Sequence, residues 1–164
     1  MLVLGIDPGT FKMGVGVVEA NVSNIALVHY GVLTPKRTDS LSQRLLYLHQ
    51  QLLRVIRGWK PSVMAIEQPF VARNVRAAMA VGHSQAIAML AAASCQLEVA
   101  TYSPGEVKKA VTDYGSSSKE QVQDMVGALL GLSRPPESLD ASDALAVAIC
   151  HSNASRANDL TTRE

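Results

Sequence analysis

Cysteine is scarce in this chain, and so is net charge. Its 164 residues include two cysteines, Cys95 and Cys150, both in apolar, helix-like contexts. We expect reduced core thiols and no disulfide, as in a reducing compartment.

Fifteen Lys and Arg residues are balanced by 14 Asp and Glu residues, which leaves a net charge of +1. This balance excludes a protein that binds nucleic acid through overall positive charge, although basic residues cluster locally in segments 54–76 and 108–119.

The sequence also has no long, clean hydrophobic run, no N-terminal leader pattern and no internal repeat. We therefore predict a cytoplasmic protein that does not span a membrane. Its length fits one compact domain, which we assign to residues 1–153, followed by a flexible polar tail at 154–164. The Cys and His spacing of a zinc site is missing, and so is the Gly-x-Ser-x-Gly pattern of many hydrolases.

The order of hydrophobic patterns predicts an α/β protein. Continuous or alternating apolar runs predict strands, and apolar residues at every third or fourth position predict helices. The first three strands are joined by short connections, so we expect an antiparallel meander. Later strands alternate with helices, which predicts a mixed five-stranded sheet with helices on both faces. The predicted strands are 2–7, 13–20, 24–33, 62–67 and 97–102, and the predicted helices are 41–59, 74–94, one opening at Ser103, one from about Lys119, and 140–152.

Four acidic residues occur where apolar elements begin or end. Asp7 and Glu67 each close a predicted strand, and Asp140 and Asp143 lie three apart at the start of an apolar helix. Turns and exposed loops favour acids, and the helix dipole can explain one acid at a helix start, but it does not explain why Asp140 and Asp143 both project the same way beside an apolar helix. A carboxylate that closes a buried strand nevertheless costs free energy unless it is paired or binds a cation. Together the four could hold two divalent ions that activate water and stabilise a leaving phosphate oxygen.

Phe70 lies in the predicted loop that follows Glu67, and it is one of two phenylalanines in the chain. An aromatic residue in such a position is often a core anchor. In a loop beside acidic residues it could instead stack on, or wedge between, nucleobases. Both interpretations are open from the residues alone.

Four sequence blocks together resemble a known family. They are Gly-Ile-Asp-Pro-Gly-Thr at 5–10, Ile-Glu-Gln at 66–68, Lys-Glu-Gln-Val-Gln at 119–123 and Asp-Ala-Ser-Asp-Ala-Leu-Ala-Val-Ala-Ile-Cys-His at 140–151. In this order and spacing they closely resemble the RuvC family, the bacterial Holliday junction resolvases, which are crossover junction endodeoxyribonucleases. The likeness runs from the first residue to about residue 152.

The resemblance implies a ribonuclease-H-like fold, with parallel strands beside the meander, and a homodimer. It implies two Mg²⁺ ions per subunit, for which Mn²⁺ could substitute, and paired symmetric nicks in four-way junction DNA during homologous recombination and repair. It also implies a partner, a branch-migration helicase complex of the RuvA and RuvB type. The implied catalytic and metal-binding residues are Asp7, Glu67, Asp140 and Asp143.

The resemblance also implies DNA contacts. Lys108 and Lys119 match basic positions of the family, and Phe70 matches an aromatic residue held near the junction centre. Segments 82–86 and 115–118 carry less positive charge than is usual in the family, so other residues are expected to contribute. The expected DNA-binding residues are Phe70, Arg73, Asn74, Arg76, Lys108, Lys109 and Lys119.

Two other functions compete with the nuclease. Asp7-Pro8-Gly9-Thr10 also resembles the phosphate loop of actin-like and sugar-kinase-like phosphotransferases, which usually need two such domains. The reduced positive charge in two loops prompts the other alternative, a catalytically silent protein that binds junctions. A chain of 164 residues with no repeat does not fit the phosphotransferases, and retention of all four acids favours the nuclease over the silent binding protein.

Overall fold

The computed structural model describes residues 1–68 and 74–161, which form one five-stranded sheet in the order β3-β2-β1-β4-β5. The strands are β1 (Leu2–Asp7), β2 (Met13–Ala20), β3 (Ile25–Leu33), β4 (Val63–Glu67) and β5 (Glu98–Tyr102). β1, β2 and β3 pair antiparallel, whereas β4 pairs in parallel with β1 and β5 pairs in parallel with β4. The predicted meander and mixed sheet are confirmed, and no strand boundary differs from its predicted position by more than one residue.

Each of three helices begins at a serine that caps it. The Ser40 hydroxyl accepts a hydrogen bond from the Gln43 N–H, and the Gln43 side chain accepts one from the Ser40 N–H. The same reciprocal arrangement occurs at Ser103 with Glu106, and at Ser118 with Gln121. Because these caps satisfy N–H groups that the helix itself leaves free, they fix where each helix starts. The helices are α1 (Leu41–Trp59), α2 (Val75–Ser94), α3 (Pro104–Thr112), α4 (Lys119–Leu129) and α5 (Leu139–Thr161).

Hydrophobic cores cover both faces of the sheet, as predicted. On one face, residues such as Leu4 and Met64 pack with buried side chains of α1 and α2. On the other, residues such as Val3 and Val63 pack with α3, α4 and α5. Residues 144–150 of α5 are all nearly or fully buried, which makes this helix the centre of the second core.

Glycines in β1 and β2 allow α5 to lie directly against the sheet. A Cβ atom added at Gly5 would overlap the carbonyl oxygen of Ala144, and one at Gly14 would overlap the carbonyl oxygen of Asp140. Any larger residue at these positions would lift the helix away from the strands. The glycines therefore set the position of the first turns of α5 relative to the end of β1.

The predicted end of the last helix near residue 152 is wrong, because α5 continues to Thr161. Its polar final turns are held by contacts to distant parts of the chain. The Asn153 side chain donates a hydrogen bond to the carbonyl of Ala110, and the Arg156 guanidinium donates one to the carbonyl of Asn24. These partners compensate for the lack of an apolar face, which is why hydrophobic periodicity alone did not reveal the extension.

α2 also differs from expectation, because by length and composition it is apolar enough to cross a membrane, although no such segment was predicted. Its buried side is made of small residues, including Ala88, Ala91 and Ala92, that pack near α1. Val75 and Met79 on the same helix remain 71% and 57% exposed. The helix therefore covers the core with small side chains and leaves large apolar ones outside.

Candidate active site

Strand geometry brings Asp7 and Glu67 to the same edge of the sheet. Side chains alternate between faces along a strand, so Asp7 shares a face with Val3, and Glu67 shares one with Val63. Val3 and Val63 belong to the core beneath α5, so both acids are directed to that side. Because β1 and β4 are parallel neighbours in register, their last residues end side by side.

The start of α5 brings the other two acids to this edge. Gly14 is paired with Asp7 across β1 and β2, and it lies directly beneath the backbone carbonyl of Asp140. The Asp7 Cβ atom is within 3.2 Å of the position that a Gly14 Cβ would occupy. Asp143 follows within the next turn of the same helix. The four acids that were predicted as a group therefore gather at one edge.

The electrostatics of the site show how closely these acids interact. Burial, followed by the charges of Asp143, Glu67 and Asp140, raises the pKa of Asp7 from 3.8 to about 8. The pKa of Glu67 is also raised, first by burial and then by the charge of Asp143. Each negative charge makes it harder for the next acid to ionise. The cluster therefore has a deficit of positive charge.

Lys119 supplies part of the missing positive charge. Its Nζ lies 3.1 Å from Oδ2 of Asp143, and this hydrogen bond is the main cause that raises the pKa of Lys119. The capping box of Ser118 fixes Lys119 as the first residue of α4. Lys119 in turn lowers the pKa of Asp7 and of Glu67.

A cavity of about 280 Å³ opens at the acidic edge. Glu67, Asp143, Lys108 and Lys119 supply its charged wall, and Pro104, Val107 and Val122 supply its apolar wall. Acids thus meet basic residues in one concavity, an arrangement suited to a phosphate whose charge is shared between a cation and lysines.

The donor set fits hard divalent cations. Among residues 1–68 and 74–161, no three Asp, Glu, His or Cys side chains already form a cation cage. Carboxylate oxygens are nevertheless the ligands that Mg²⁺ prefers, and the pKa of Asp7 is raised first by burial and then by repulsion from the neighbouring acids. A bound cation would relieve this repulsion and draw the carboxylates together. Asp7, Glu67, Asp140 and Asp143 are the residues that could hold it.

The residues expected to contact DNA have different positions. Lys108 and Lys119 line the acidic cavity, whereas Lys109 is exposed on α3 outside it. Arg76 is exposed in the first turn of α2. The Asn74 side chain caps that helix by accepting hydrogen bonds from the N–H groups of residues 76 and 77, at 3.1 and 3.2 Å. The expected contacts at Phe70 and Arg73 lie outside the described residues.

Sequence reasoning missed one polar contact beside the site. The Tyr102 hydroxyl and Nδ1 of His151 are 2.8 Å apart and join the end of β5 to α5. Tyr102 is paired with Glu67, and its carbonyl accepts a hydrogen bond from the Gln68 N–H. The two side chains are 49 positions apart, so no local pattern in the sequence could have paired them.

Sequence reasoning also missed the purpose of the glycines in the first two strands. They recur at positions 5, 14 and 16, and Gly5 is paired with Gly16. Glycine inside neighbouring strands is a known sign that another backbone approaches closely. This signal could have predicted that a helix packs directly against β1 and β2 at these glycines.

The mixed sheet, with acids at the ends of β1 and β4 and at the start of α5, is an arrangement suited to metal-dependent cleavage of phosphodiesters. Comparison with known proteins narrows the class. The family described as "Crossover junction endodeoxyribonuclease RuvC" matches residues 3–151. The chain belongs to the RuvC family.

Individual relatives agree with this assignment. A crossover junction endodeoxyribonuclease RuvC of Dehalococcoides mccartyi is 46% identical over 151 residues, which cover 92% of each chain. The structure of Thermus thermophilus RuvC has a TM-score of 0.88 at 32% identity, covering 96% of this chain and 97% of that one. The T. thermophilus RuvC structure in complex with Holliday junction substrate has a TM-score of 0.90 at 32% identity, covering 96% of both chains. The predicted fold and family are confirmed.

Proposed function

We propose that this protein resolves Holliday junctions by paired symmetric nicks that depend on divalent metal ions. The observation that carries the proposal is the convergence of Asp7, Glu67, Asp140 and Asp143 at one sheet edge, where burial, followed by the charges of the neighbouring acids, raises the pKa of Asp7 to about 8. Membership of the RuvC family supports the substrate. It also favours the nuclease over a phosphotransferase or a silent binding protein.

The four carboxylates would hold two Mg²⁺ ions, or Mn²⁺ in their place. When bound, such ions supply an activated water and neutralise charge on the leaving oxygen. Asp7 and Glu67 would hold them from the strand ends, and Asp140 and Asp143 from α5. The raised pKa keeps Asp7 protonated to a higher pH than usual, so this carboxyl group must lose its proton before it can bind a cation. In-line attack on the scissile phosphate would leave a 5′-phosphate and a 3′-hydroxyl.

Basic residues around the cavity would position the DNA. Lys108 and Lys119 lie where they can contact the scissile phosphate or its neighbours. Lys119 would then exchange its contact with Asp143 for one with a phosphate oxygen, which has the same charge. Exposed Lys109 and Arg76 would contact the adjoining backbone. Phe70, Arg73 and Asn74 complete the proposed DNA-binding set.

A second copy of this chain would cover α2. Val75, Met79 and Leu90 are all more than half exposed and recur at helical spacing, so they form one apolar stripe. Symmetric nicks in two strands require two active sites related by a two-fold axis, and such an axis buries the same surface on both subunits. Met79→Glu should therefore shift the protein from dimer to monomer in analytical ultracentrifugation.

We also propose a cytoplasmic location and cooperation with a branch-migration helicase complex of the RuvA and RuvB type.

The decisive experiment compares cleavage of a mobile four-way junction with cleavage of linear duplex, with Mg²⁺ and with EDTA. We expect Mg²⁺-dependent nicks at symmetric positions in the junction and none in the duplex. Asp7→Asn should bind the junction without cutting it. Asp124→Asn, a matched change at an exposed acid on α4, should cut like the unsubstituted protein. Full nicking by purified Asp7→Asn would refute the assignment.

A further inference from the structure

A second concave surface, which we call the turn groove, lies beside the connection between β1 and β2. Its volume is about 380 Å³. The residues that matter for its chemistry are Phe11, Lys12, Thr34 and Arg37, with Ala77 and Ala80 of α2 forming the floor. The groove shares no lining residue with the acidic cavity. It is therefore a separate site rather than an extension of the first.

Strand register fixes the groove close to the proposed cleavage position. Met13 is paired with Leu33 across β2 and β3, so Lys12 and Thr34, the residues beside this pair, are neighbours at the sheet edge. The connection that carries Lys12 starts directly after Asp7. The groove thus opens at the same edge as the acids but toward the layer of α2, whereas the acids are directed toward α5. A DNA strand that runs along this edge past the acids would reach the groove.

Phe11 is an exposed aromatic residue that is held in place from one side. The Arg44 guanidinium carbon lies 3.8 Å from the centroid of its ring, which is a cation–π contact. The side chain remains 48% exposed, so much of its surface is still available. A Cβ atom at Gly9 would overlap the carbonyl oxygen of Lys12, so the turn that carries Phe11 is tightly closed. An ordered, half-exposed ring of this kind suits stacking on a sugar or a base.

The charge of the groove indicates an anionic occupant. Lys12 and Arg37 are exposed and line it, and no acidic residue does so within the part of the chain that the structure describes. The whole chain has a net charge of only +1, so this local excess is not a property of the surface in general. Phosphates recur along DNA, so a protein gains affinity from each one that it neutralises.

We propose that the turn groove binds the sugar–phosphate backbone of the DNA strand that flanks the cleavage position. Lys12 and Arg37 contact phosphates, and Phe11 packs on a sugar or base while Arg44 holds its ring. The inference rests on the proposed function, because it assigns a further part of the same DNA substrate to this chain. It makes the β1–β2 connection a positioning element for the strand that is cut.

The test is the salt dependence of junction binding, measured in EDTA so that no cutting occurs. Each lost phosphate contact lowers the slope of log K against log salt by about 0.9. Lys12→Gln with Arg37→Gln should therefore reduce the slope by about two relative to the unsubstituted protein. The control is Arg57→Gln with Lys60→Gln, which removes the same charges at the other end of the sheet, before β4. Its slope should not change.

Phe11→Ala should weaken binding by about tenfold without changing the slope, and Phe11→Tyr should restore affinity. An equal slope in the groove and control variants, with junction cutting intact in the unsubstituted protein, would overturn the groove and leave the resolvase standing. A change of oligomeric state in Phe11→Ala would also overturn it, since the groove would then contact a second copy. If the unsubstituted protein neither bound nor cut junctions, both proposals would fail.

Discussion

The Nζ atom of Lys119 lies 3.1 Å from Oδ2 of Asp143 and connects the first residue of α4 to the early part of α5. The lysine side chain is 64% exposed and the aspartate side chain 20% exposed. Such a partly exposed pair contributes little to stability, because water screens it. It can open without uncovering a core. The pair thus acts as a local counter-charge for the acidic edge rather than as a structural bridge.

Replacing Lys119 with Met should move the pH dependence of cleavage to higher pH. Lys119 lowers the pKa of Asp7 and of Glu67, so without it both acids keep their protons to a higher pH. The proposed chemistry needs the ionised acids. The rising part of the rate profile should therefore shift upward, and the rate near neutral pH should fall about tenfold, the effect of losing one charge-assisted contact of about 1.4 kcal/mol.

Single-turnover cleavage over a pH series at fixed Mg²⁺ measures this shift. Lys60→Met is the control, because it removes a lysine just before β4, at the opposite end of the strand from Glu67. Its profile should match that of the unsubstituted protein. A lower rate for Lys119→Met at every pH, with no shift, would contradict the electrostatic role and leave only a role in DNA contact.

The stability of the metal-free protein should fall as pH rises toward 8. The pKa of Asp7 is about 8 in the folded chain against an ordinary value of 3.8, so between these values the folded chain binds more protons than the unfolded chain. Stability must then decrease with pH over this window. The Asp7→Asn variant cannot ionise at this position, so its free energy of unfolding should exceed that of the unsubstituted protein by an amount that grows with pH to about 1–3 kcal/mol. Each kcal/mol corresponds to roughly 2–4 °C in Tm.

Thermal unfolding in EDTA at several pH values tests this expectation. Asp124→Asn removes the same charge at an exposed position on α4 and is the matched control. Mg²⁺ should raise the Tm of the unsubstituted protein more than that of Asp7→Asn, because a cation bound only by the folded state stabilises it. An Asp7→Asn advantage that stayed constant across the series would show that Asp7 ionises normally.

Much of the fold could be predicted because its signals are local. Ser40 with Gln43 marks the start of α1 through groups three positions apart, and short connections between strands indicate the meander. Asp7 and Glu67 were also predicted at strand ends from the apolar runs that precede them, whereas the parallel pairing of β1 with β4 that sets those ends side by side was not predicted. The predicted features depend on near neighbours and on general rules of sheet geometry.

The features that could not be predicted depend on distant contacts. The ion pair of Lys119 with Asp143 depends on how α4 packs against α5. The last turns of α5 depend on Arg156 reaching the carbonyl of Asn24 at the other end of the sequence. A hydrophobic pattern contains no information on either contact, because both join polar groups that become neighbours only after the core has formed.

Gly14→Ala should separate Asp140 from Asp7 and impair cleavage. The added methyl group would overlap the Asp140 carbonyl oxygen, so α5 must move away from β2. Overpacking of this kind typically costs about 1–3 kcal/mol. We expect that loss in chemical unfolding, together with a fall in cleavage of at least about tenfold, as for a misplaced catalytic group.

Gly58→Ala is the control, since nothing lies within 4 Å of its added Cβ, and it should stabilise α1 by about 0.5–1 kcal/mol. Full activity in Gly14→Ala would show that the position of α5 does not limit the reaction.

Tyr102→Phe should destabilise the edge of the sheet that carries Glu67. The substitution removes a hydroxyl that lies 2.8 Å from Nδ1 of His151. Burial lowers the pKa of His151, so near neutral pH the ring is uncharged and Nδ1 can accept a hydrogen bond from the Tyr102 hydroxyl. Losing this hydrogen bond should cost about 1 kcal/mol and lower the Tm by roughly 2–4 °C.

Tyr114→Phe is the matched control for Tyr102→Phe, because the Tyr114 side chain is exposed and its change should leave Tm unaltered. A double-mutant cycle of Tyr102→Phe with His151→Ala should give a coupling energy of at least about 0.5 kcal/mol at neutral pH. His151 has a lowered pKa in the folded state, so stability is lost when it gains a proton as pH falls, and Nδ1 then no longer accepts. The coupling should therefore shrink on acidification. Additive effects of the two substitutions at neutral pH would mean that the hydrogen bond does not hold β5 to α5.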